Sequence, residues 1–86
     1  MKHILIVCYN YTAAKRRFCD MLQYNKDAVG RVSPTRLTLE LGDIEYEFIS
    51  SNAADRLMGR TFHTIYIDEM VQLNAEKSAM LMSMKR

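Results

Sequence analysis

The sequence predicts one α/β domain, residues 1–86, built on a small mixed sheet. Three features of the chain predict it: an apolar run near the N-terminus, a helical apolar stripe after it, and two alternating runs joined by a two-residue turn. The composition, with 49% apolar and 26% charged residues, is ordinary for a soluble globular protein. A domain of this size buries only about 60–65% of its unfolded surface, so an unpaired sheet edge has a strong reason to find a partner.

The first third of the chain predicts a buried strand followed by a helix. The run from His3 to Tyr9 (HILIVCY) is apolar and β-branched, which is typical of a strand buried on both faces of a parallel sheet. Thr12 is the expected N-cap of a helix of about twelve residues. Residues 24–34 are polar, contain Gly30 and the only proline, and predict a loop. The helix carries an apolar stripe at i, i+4, i+7 and i+8, formed by Ala14, Phe18, Met21 and Leu22.

The middle of the chain predicts a β-hairpin. Apolar residues occupy alternate positions from Leu37 to Leu41 and again from Ile44 to Phe48. Two alternating runs joined by the two-residue loop Gly42-Asp43 are a strong hairpin signal. The other face of the hairpin is expected to be a solvated acidic row, formed by Glu40, Glu45 and Glu47.

The last third predicts two helices and one more strand. A short helix starts at Asn52 and ends at Gly59, where a glycine would terminate it. The apolar run Thr64 to Ile67 predicts a strand, and it ends in Asp68-Glu69. The expected order is therefore β-α-β-β-α-β-α, with two parallel strands, a β-hairpin and about three helices. The last helix starts at Asn74 and carries Met80, Leu81 and Met84 along one side.

Charge is distributed unevenly along the chain. Residues 1–36 hold seven basic and two acidic residues, whereas residues 37–86 hold five basic and eight acidic ones. A polarised domain can meet an acidic partner or nucleic acid with its basic side. The net charge of +2 is too low to identify a nucleic-acid-binding protein by itself.

The hydropathy pattern indicates a cytoplasmic protein, in which the two cysteines are expected to be reduced. Cys8 and Cys19 lack metal-ligand spacing and are expected to be small core residues, with a redox role as the alternative. No apolar run approaches the roughly 20 residues of a membrane span, and the N-terminal run is too short for a secretory signal. The expectation is a cytoplasmic protein (in the host cell, if it is viral) without a membrane partner.

The segment from Leu39 to Glu69 resembles the stretch leading into the Walker B motif of phage terminase large-subunit ATPases and related helicase-like P-loop enzymes. The likeness covers about residues 3–72, since the first strand and helix look like those that follow the phosphate-loop helix in these enzymes. The quoted features are a central hairpin glycine (Gly42), a strand ending in a small polar run (Phe48 to Asn52), a short helix closing on Gly-Arg (residues 56–60), and an apolar strand ending in Asp-Glu.

This resemblance implies roles for the Asp-Glu pair. Asp68 would hold Mg²⁺ through water, and Glu69 would polarise the attacking water. The family's G-x-x-x-x-G-K-[ST] loop is missing, because no glycine of this chain precedes Lys-Ser or Lys-Thr. The chain therefore resembles a truncated P-loop core that begins after that loop. We expect no enzyme activity and no cofactor. The pair is taken as a vestigial strand terminus and helix entry, and the alternative is a working metal site that holds Mg²⁺.

Basic residues in two places are candidates for binding an anion or an acidic partner. Arg56 and Arg60 lie about one helical turn apart near Asn52, and the alternative for them is solvation or an ion pair with Asp55 or a glutamate. Arg16 and Arg17, with Lys15, open the first helix, where positive charge opposes the macrodipole. That cost indicates an anion-binding use, with a solvated face as the alternative. Three tyrosines lie among basic residues, namely Tyr9, Tyr11 and Tyr24, and stacking on bases is one use for them. Ordinary packing is expected for at least two of the three.

The resemblance also implies a binding surface. The first strand and the Asp-Glu strand would be parallel neighbours, which leaves the 64–67 strand at a sheet edge that self-association or a protein partner covers. The expected function is a non-enzymatic binding protein of phage or mobile-element origin, acting as an inhibitor, decoy or assembly accessory. The alternatives are a nucleic-acid- or nucleotide-binding accessory that completes an ATPase site in trans, and a metal-dependent hydrolase. The residues expected to dock the partner are Ile65, Ile67, Met80 and Met84.

Overall fold

Five strands and one helix form the described part of the chain, which in this computed structural model comprises residues 2–53, 60–68 and 82. The predicted α/β class with a mixed sheet is confirmed. The elements in chain order are β1 (Lys2–Cys8), α1 (Tyr11–Tyr24), β2 (Val29–Ser33), β3 (Thr38–Leu41), β4 (Ile44–Ser50) and β5 (Thr64–Ile67).

The strands form one sheet in the order β2-β3-β4-β1-β5. The predicted hairpin is β3–β4, and Gly42 takes the positive φ of 60° that its tight turn requires. β1 and β5 are parallel neighbours, as expected. Within the described residues β5 is the last strand of the sheet. The parallel strands number three rather than two, because the second hairpin strand also pairs parallel with β1.

The described order differs from the predicted one in β2, which forms within the expected loop of residues 24–34. Val29 and Val32 pack against the core, and the strand pairs antiparallel with β3 through an irregular register. This tertiary pairing outweighs the local turn signals of Gly30 and Pro34. The two further predicted helices start at Asn52 and Asn74, and most of their residues lie outside the described ones. Residues 51–53 form a 3₁₀ turn.

The first helix starts earlier than predicted. Asn10, rather than Thr12, is the N-cap, and its side-chain oxygen accepts a hydrogen bond from the Ala13 N–H at 2.7 Å. The helix consequently has 14 residues. Asparagine is at least as good an N-cap as threonine, and residue 10 has the extended backbone that a cap needs.

The core lies between α1 and one face of the sheet, called here the helix face. The predicted apolar stripe packs on it: Ala14 and Phe18 are buried, and the Phe18 ring meets Phe48 edge-on with centroids 6.1 Å apart. Full burial of one such ring stabilises the fold by about 1.5–3 kcal/mol. Cys8 lies in this core as predicted, but Cys19 is exposed, because it falls one position past Phe18 and points away from the stripe.

The opposite face of the sheet is also buried over part of its area. Leu5, Val7 and Phe62 are almost completely buried there. The prediction of a solvated acidic row is wrong for Glu47, which is only 6% exposed. Glu47 lies beside Leu5 in the strand register, so burial of the centre of this face includes the carboxylate.

Candidate functional site

The outer edge of β5 presents main-chain hydrogen-bonding groups. The Asp68 N–H donates to the Val7 carbonyl at 2.9 Å, so even-numbered residues here point their N–H toward β1. Alternate residues of a strand point the opposite way, which directs the N–H and C=O groups of Ile65 and Ile67 away from β1. Among the described residues no strand lies on that side.

The side chains along this edge are apolar and accessible. Tyr66 is 58% and Ile67 43% exposed, and Ile65 is partly exposed. The strand register places Tyr66 on the helix face beside Ile6, and Ile67 on the opposite face beside Val7. A partner strand on this edge would therefore meet apolar side chains on both faces.

The two edges of the same sheet differ in how they resist pairing. β2 has a register irregularity between Val29 and Val32, carries the charged Arg31, and is followed directly by Pro34. These are the devices with which native sheets block edge-to-edge association. β5 (TIYI) contains no charge, no proline and no register shift. Of the two, β5 is the unguarded edge.

Asp68 follows β5 and faces α1. Its carboxylate pairs with the Arg17 guanidinium at 3.1 Å, and the side chain is only 15% exposed. The predicted metal residue and the predicted anion-binding arginine are thus brought together as an ion pair. Within the described ranges, no group of three or more His, Cys, Asp or Glu residues is placed to hold a metal ion. Glu69 lies outside these ranges.

Cys8 lies close to this ion pair. Burial raises the pKa of the Cys8 thiol above its usual value, the Arg17 charge opposes that increase, and the Asp68 carboxylate adds to it. The thiol is therefore protonated at neutral pH and a poor nucleophile, because the thiolate is the reactive form. This environment suits the predicted core role of Cys8.

Arg60 is held by a second ion pair, on the opposite face. Its two terminal nitrogens donate to the two carboxylate oxygens of Glu47 at 2.9 and 3.1 Å. Its guanidinium carbon also lies 5.1 Å from the centre of the Phe62 ring, in cation–π geometry. The glutamate ion pair considered from the sequence is thus observed, with Glu47. Arg56 lies outside the described residues.

The other predicted contact residues are distributed over the surface. Arg16 is exposed on α1 and lines a groove of about 540 Å³ with Arg17 and Met21. Asn52 is exposed in the 3₁₀ turn. The docking residues Met80 and Met84 lie outside the part of the chain that the structure describes. The expectation that most of the three tyrosines pack is wrong: all are at least half exposed, namely Tyr9, Tyr11 and Tyr24.

A crevice with a mixed polar and apolar lining lies where β4 extends past β3. It encloses about 310 Å³, and we call it the Arg36 crevice after the exposed arginine on its rim. Sequence reasoning missed Arg36, because it stands between the expected loop of residues 24–34 and the expected hairpin and belongs to no motif. Its lining combines polar groups, from Tyr11, Thr35, Arg36, Glu47, Ser50 and Arg60, with apolar side chains, from Leu37, Phe48, Ile49 and Ala53.

Comparisons with protein-family models, curated proteins and solved structures found no match for this chain. In the described residues there is no helix long and apolar enough to cross a membrane.

Proposed function

We propose that this protein is a non-enzymatic binding module that recruits another polypeptide to β5 by strand addition. The unguarded edge carries the proposal: β5 ends the described sheet without charge, proline or bulge, whereas β2 at the other edge carries a charge and a register irregularity and is followed by a proline. Strand addition gives affinity through the main chain and specificity through alternate side chains.

The expected affinity follows from the size of the edge. Ile65 and Ile67 offer two N–H and two C=O groups, and four hydrogen bonds at about 0.5–1.5 kcal/mol each supply roughly 2–6 kcal/mol. Association costs roughly 4–15 kcal/mol. The main chain alone is therefore insufficient, and the partner must also bury apolar side chains against Tyr66 and Ile67. A partner strand with alternating apolar residues fits this requirement.

The biological role in this proposal is that of an inhibitor, decoy or assembly accessory, with a host or phage protein as the partner. Descent from a phage packaging ATPase or helicase-like domain is part of the proposal, and the segment from Leu39 to Glu69 supports it by resemblance. The Asp68–Arg17 ion pair supports a non-enzymatic function, because a carboxylate that already has a cationic partner is less suited to binding Mg²⁺.

A second candidate function is a nucleotide- or nucleic-acid-binding accessory. The Arg36 crevice favours it, because an exposed tyrosine and arginine face the same space. Both functions are compatible with one protein, since the crevice is at β3 and β4 and the edge is at β5.

The test uses a photo-crosslinking residue in place of Tyr66, in cells that express the protein with its candidate partners. Ile67→Pro removes an outward N–H without removing a bond to β1, and Ile67→Ala is the matched control for the lost side chain. We expect Ile67→Pro to abolish a defined crosslink and Ile67→Ala to weaken it. A crosslink that persists in Ile67→Pro at full yield contradicts strand addition.

Self-association is tested separately, by sedimentation velocity over a concentration series. A dimer that Ile67→Pro removes identifies a second copy as an occupant of the edge. A protein that stays monomeric at high micromolar concentration and yields no crosslink contradicts the proposed function.

A further inference from the structure

The Arg36 crevice lies at a notch in the sheet. β3 begins at Thr38, which pairs with Glu47, whereas β4 continues to Ser50. The Phe48 N–H donates to the Leu37 carbonyl at 3.0 Å, the last main-chain bond between the two segments. Strand alternation then directs the Ser50 N–H to the same side, toward the notch. The same alternation directs the Ser50 C=O to this side, so the crevice has both a main-chain donor and a main-chain acceptor at the notch.

The charges around the crevice favour an anion. Arg60 and Glu47 neutralise each other through two hydrogen bonds, so among the described residues that line the crevice the exposed Arg36 leaves an excess positive charge. A guanidinium has five N–H donors, of which Glu47 takes two, so Arg60 keeps donors for a ligand. Glu47 and Phe62 also fix the position of Arg60, which reduces the entropy lost when it binds.

The remaining lining groups add hydrogen bonds and an aromatic surface. Thr35 and Ser50 contribute hydroxyl groups, which donate to phosphate oxygens as readily as they accept. Tyr11, the first residue of α1, is 57% exposed and offers a ring on which a planar group can stack. An anionic group and an aromatic group are thus accommodated in one space.

The backbone beside the crevice is strained. Leu37 has φ of +54°, in the left-handed region that non-glycine residues rarely adopt. This turn places the Leu37 side chain in the core while Thr35 and Arg36 remain at the crevice. Strained residues of this kind cluster at ligand sites, where the fold holds a loop in a fixed position.

We propose that the Arg36 crevice binds a small phosphate ester that carries an aromatic ring, for which a nucleoside monophosphate is the simplest case. Arg36 and Arg60 contact the phosphate, and Tyr11 stacks on the ring. The volume of about 310 Å³ suits one nucleotide, since small-molecule sites enclose roughly 300–1,000 Å³. This proposal is independent of strand addition at β5.

The test is an NMR titration of the ¹⁵N-labelled protein with adenosine 5′-monophosphate, adenosine and inorganic phosphate. Arg36→Gln removes the charge at the crevice, and Arg31→Gln is the matched control, an exposed arginine on β2 outside the lining. We expect shifts at residues 35–37 and 50–53, roughly tenfold weaker binding of the monophosphate in Arg36→Gln, and no change in Arg31→Gln. Adenosine and phosphate should each bind more weakly than the monophosphate.

Three outcomes overturn the proposal. Equal weakening by both variants shows a general charge effect, and equal binding of adenosine and its monophosphate removes the role of the phosphate. Tighter binding of a single-stranded oligonucleotide, with a steep salt dependence, replaces the mononucleotide with a nucleic-acid surface. Tyr11→Leu separates stacking from charge: it should weaken binding of the monophosphate and leave that of inorganic phosphate unchanged.

Discussion

Replacing Arg60 with methionine removes the cation that balances the buried Glu47. The Glu47 side chain is only 7% exposed, and both of its oxygens accept bonds from Arg60. Removing one partner of a fully buried pair costs about 3–5 kcal/mol. Because the Arg60 side chain is 38% exposed, water can reach the pair, and we expect a smaller loss of about 2–3 kcal/mol.

Urea unfolding followed by circular dichroism measures this loss. With a slope of about 1 kcal/mol per molar urea for a chain of this size, the midpoint of Arg60→Met should fall by about 2–3 M. Arg16→Met, an exposed arginine on α1, is the matched control and should change stability by less than about 0.5 kcal/mol.

A double variant tests whether Glu47 and Arg60 are energetically coupled. Glu47→Met combined with Arg60→Met leaves no charge unpaired, so it should recover at least half of the loss caused by Arg60→Met alone. A midpoint shift below about 0.5 M for Arg60→Met would refute the reasoning. So would a double variant whose loss equals the sum of the two single losses, because the residues would then not be coupled.

Three further predictions concern the thiols and the strained turn. Cys19 should react with a disulfide reagent in the folded protein and Cys8 only after unfolding, so the thiol count should rise from one to two in urea. Because burial raises the pKa of Cys8, the folded state holds its proton more tightly than the unfolded chain. Its contribution to stability is therefore complete below pH 9 and is lost as the pH rises above it, a slope that Cys8→Ala should remove. Leu37→Gly should be more stable than Leu37→Ala by about 1 kcal/mol in thermal unfolding, the reverse of the usual order, because residue 37 has a positive φ.

Local patterns in the sequence predict most of the described fold. β1, α1, the β3–β4 hairpin and β5 each carry a complete signal: an apolar run, a helical stripe, or alternation around a glycine turn. β2 lacks such a signal, because its sequence, VGRVS, is typical of a loop. It forms a strand by pairing with β3. Its formation depends on tertiary contacts that a local pattern does not contain.

The candidate site was less predictable, because its contacts join residues that are distant in sequence. The alternation of apolar and polar residues in β4 predicts that Glu47 lies on the face opposite the helix. Its burial depends on Arg60, which contacts the sheet 13 residues later. The Arg17–Asp68 pair spans 51 positions and forms because α1 follows β1 while Asp68 ends the neighbouring β5. The position of β5 at the edge of the described sheet follows from no local pattern in the sequence.

Amide hydrogen exchange of the isolated protein tests the central claim, an accessible β5 edge, most directly. The Tyr66 N–H points toward β1 and should exchange slowly, whereas the Ile65 and Ile67 N–H groups point outward and should exchange at least tenfold faster. Binding of a partner should slow both outward amides and leave Tyr66 nearly unchanged. If Ile65 and Ile67 are already as protected as Tyr66 in the isolated monomer, the edge is covered by the chain itself, and the account of strand addition is wrong.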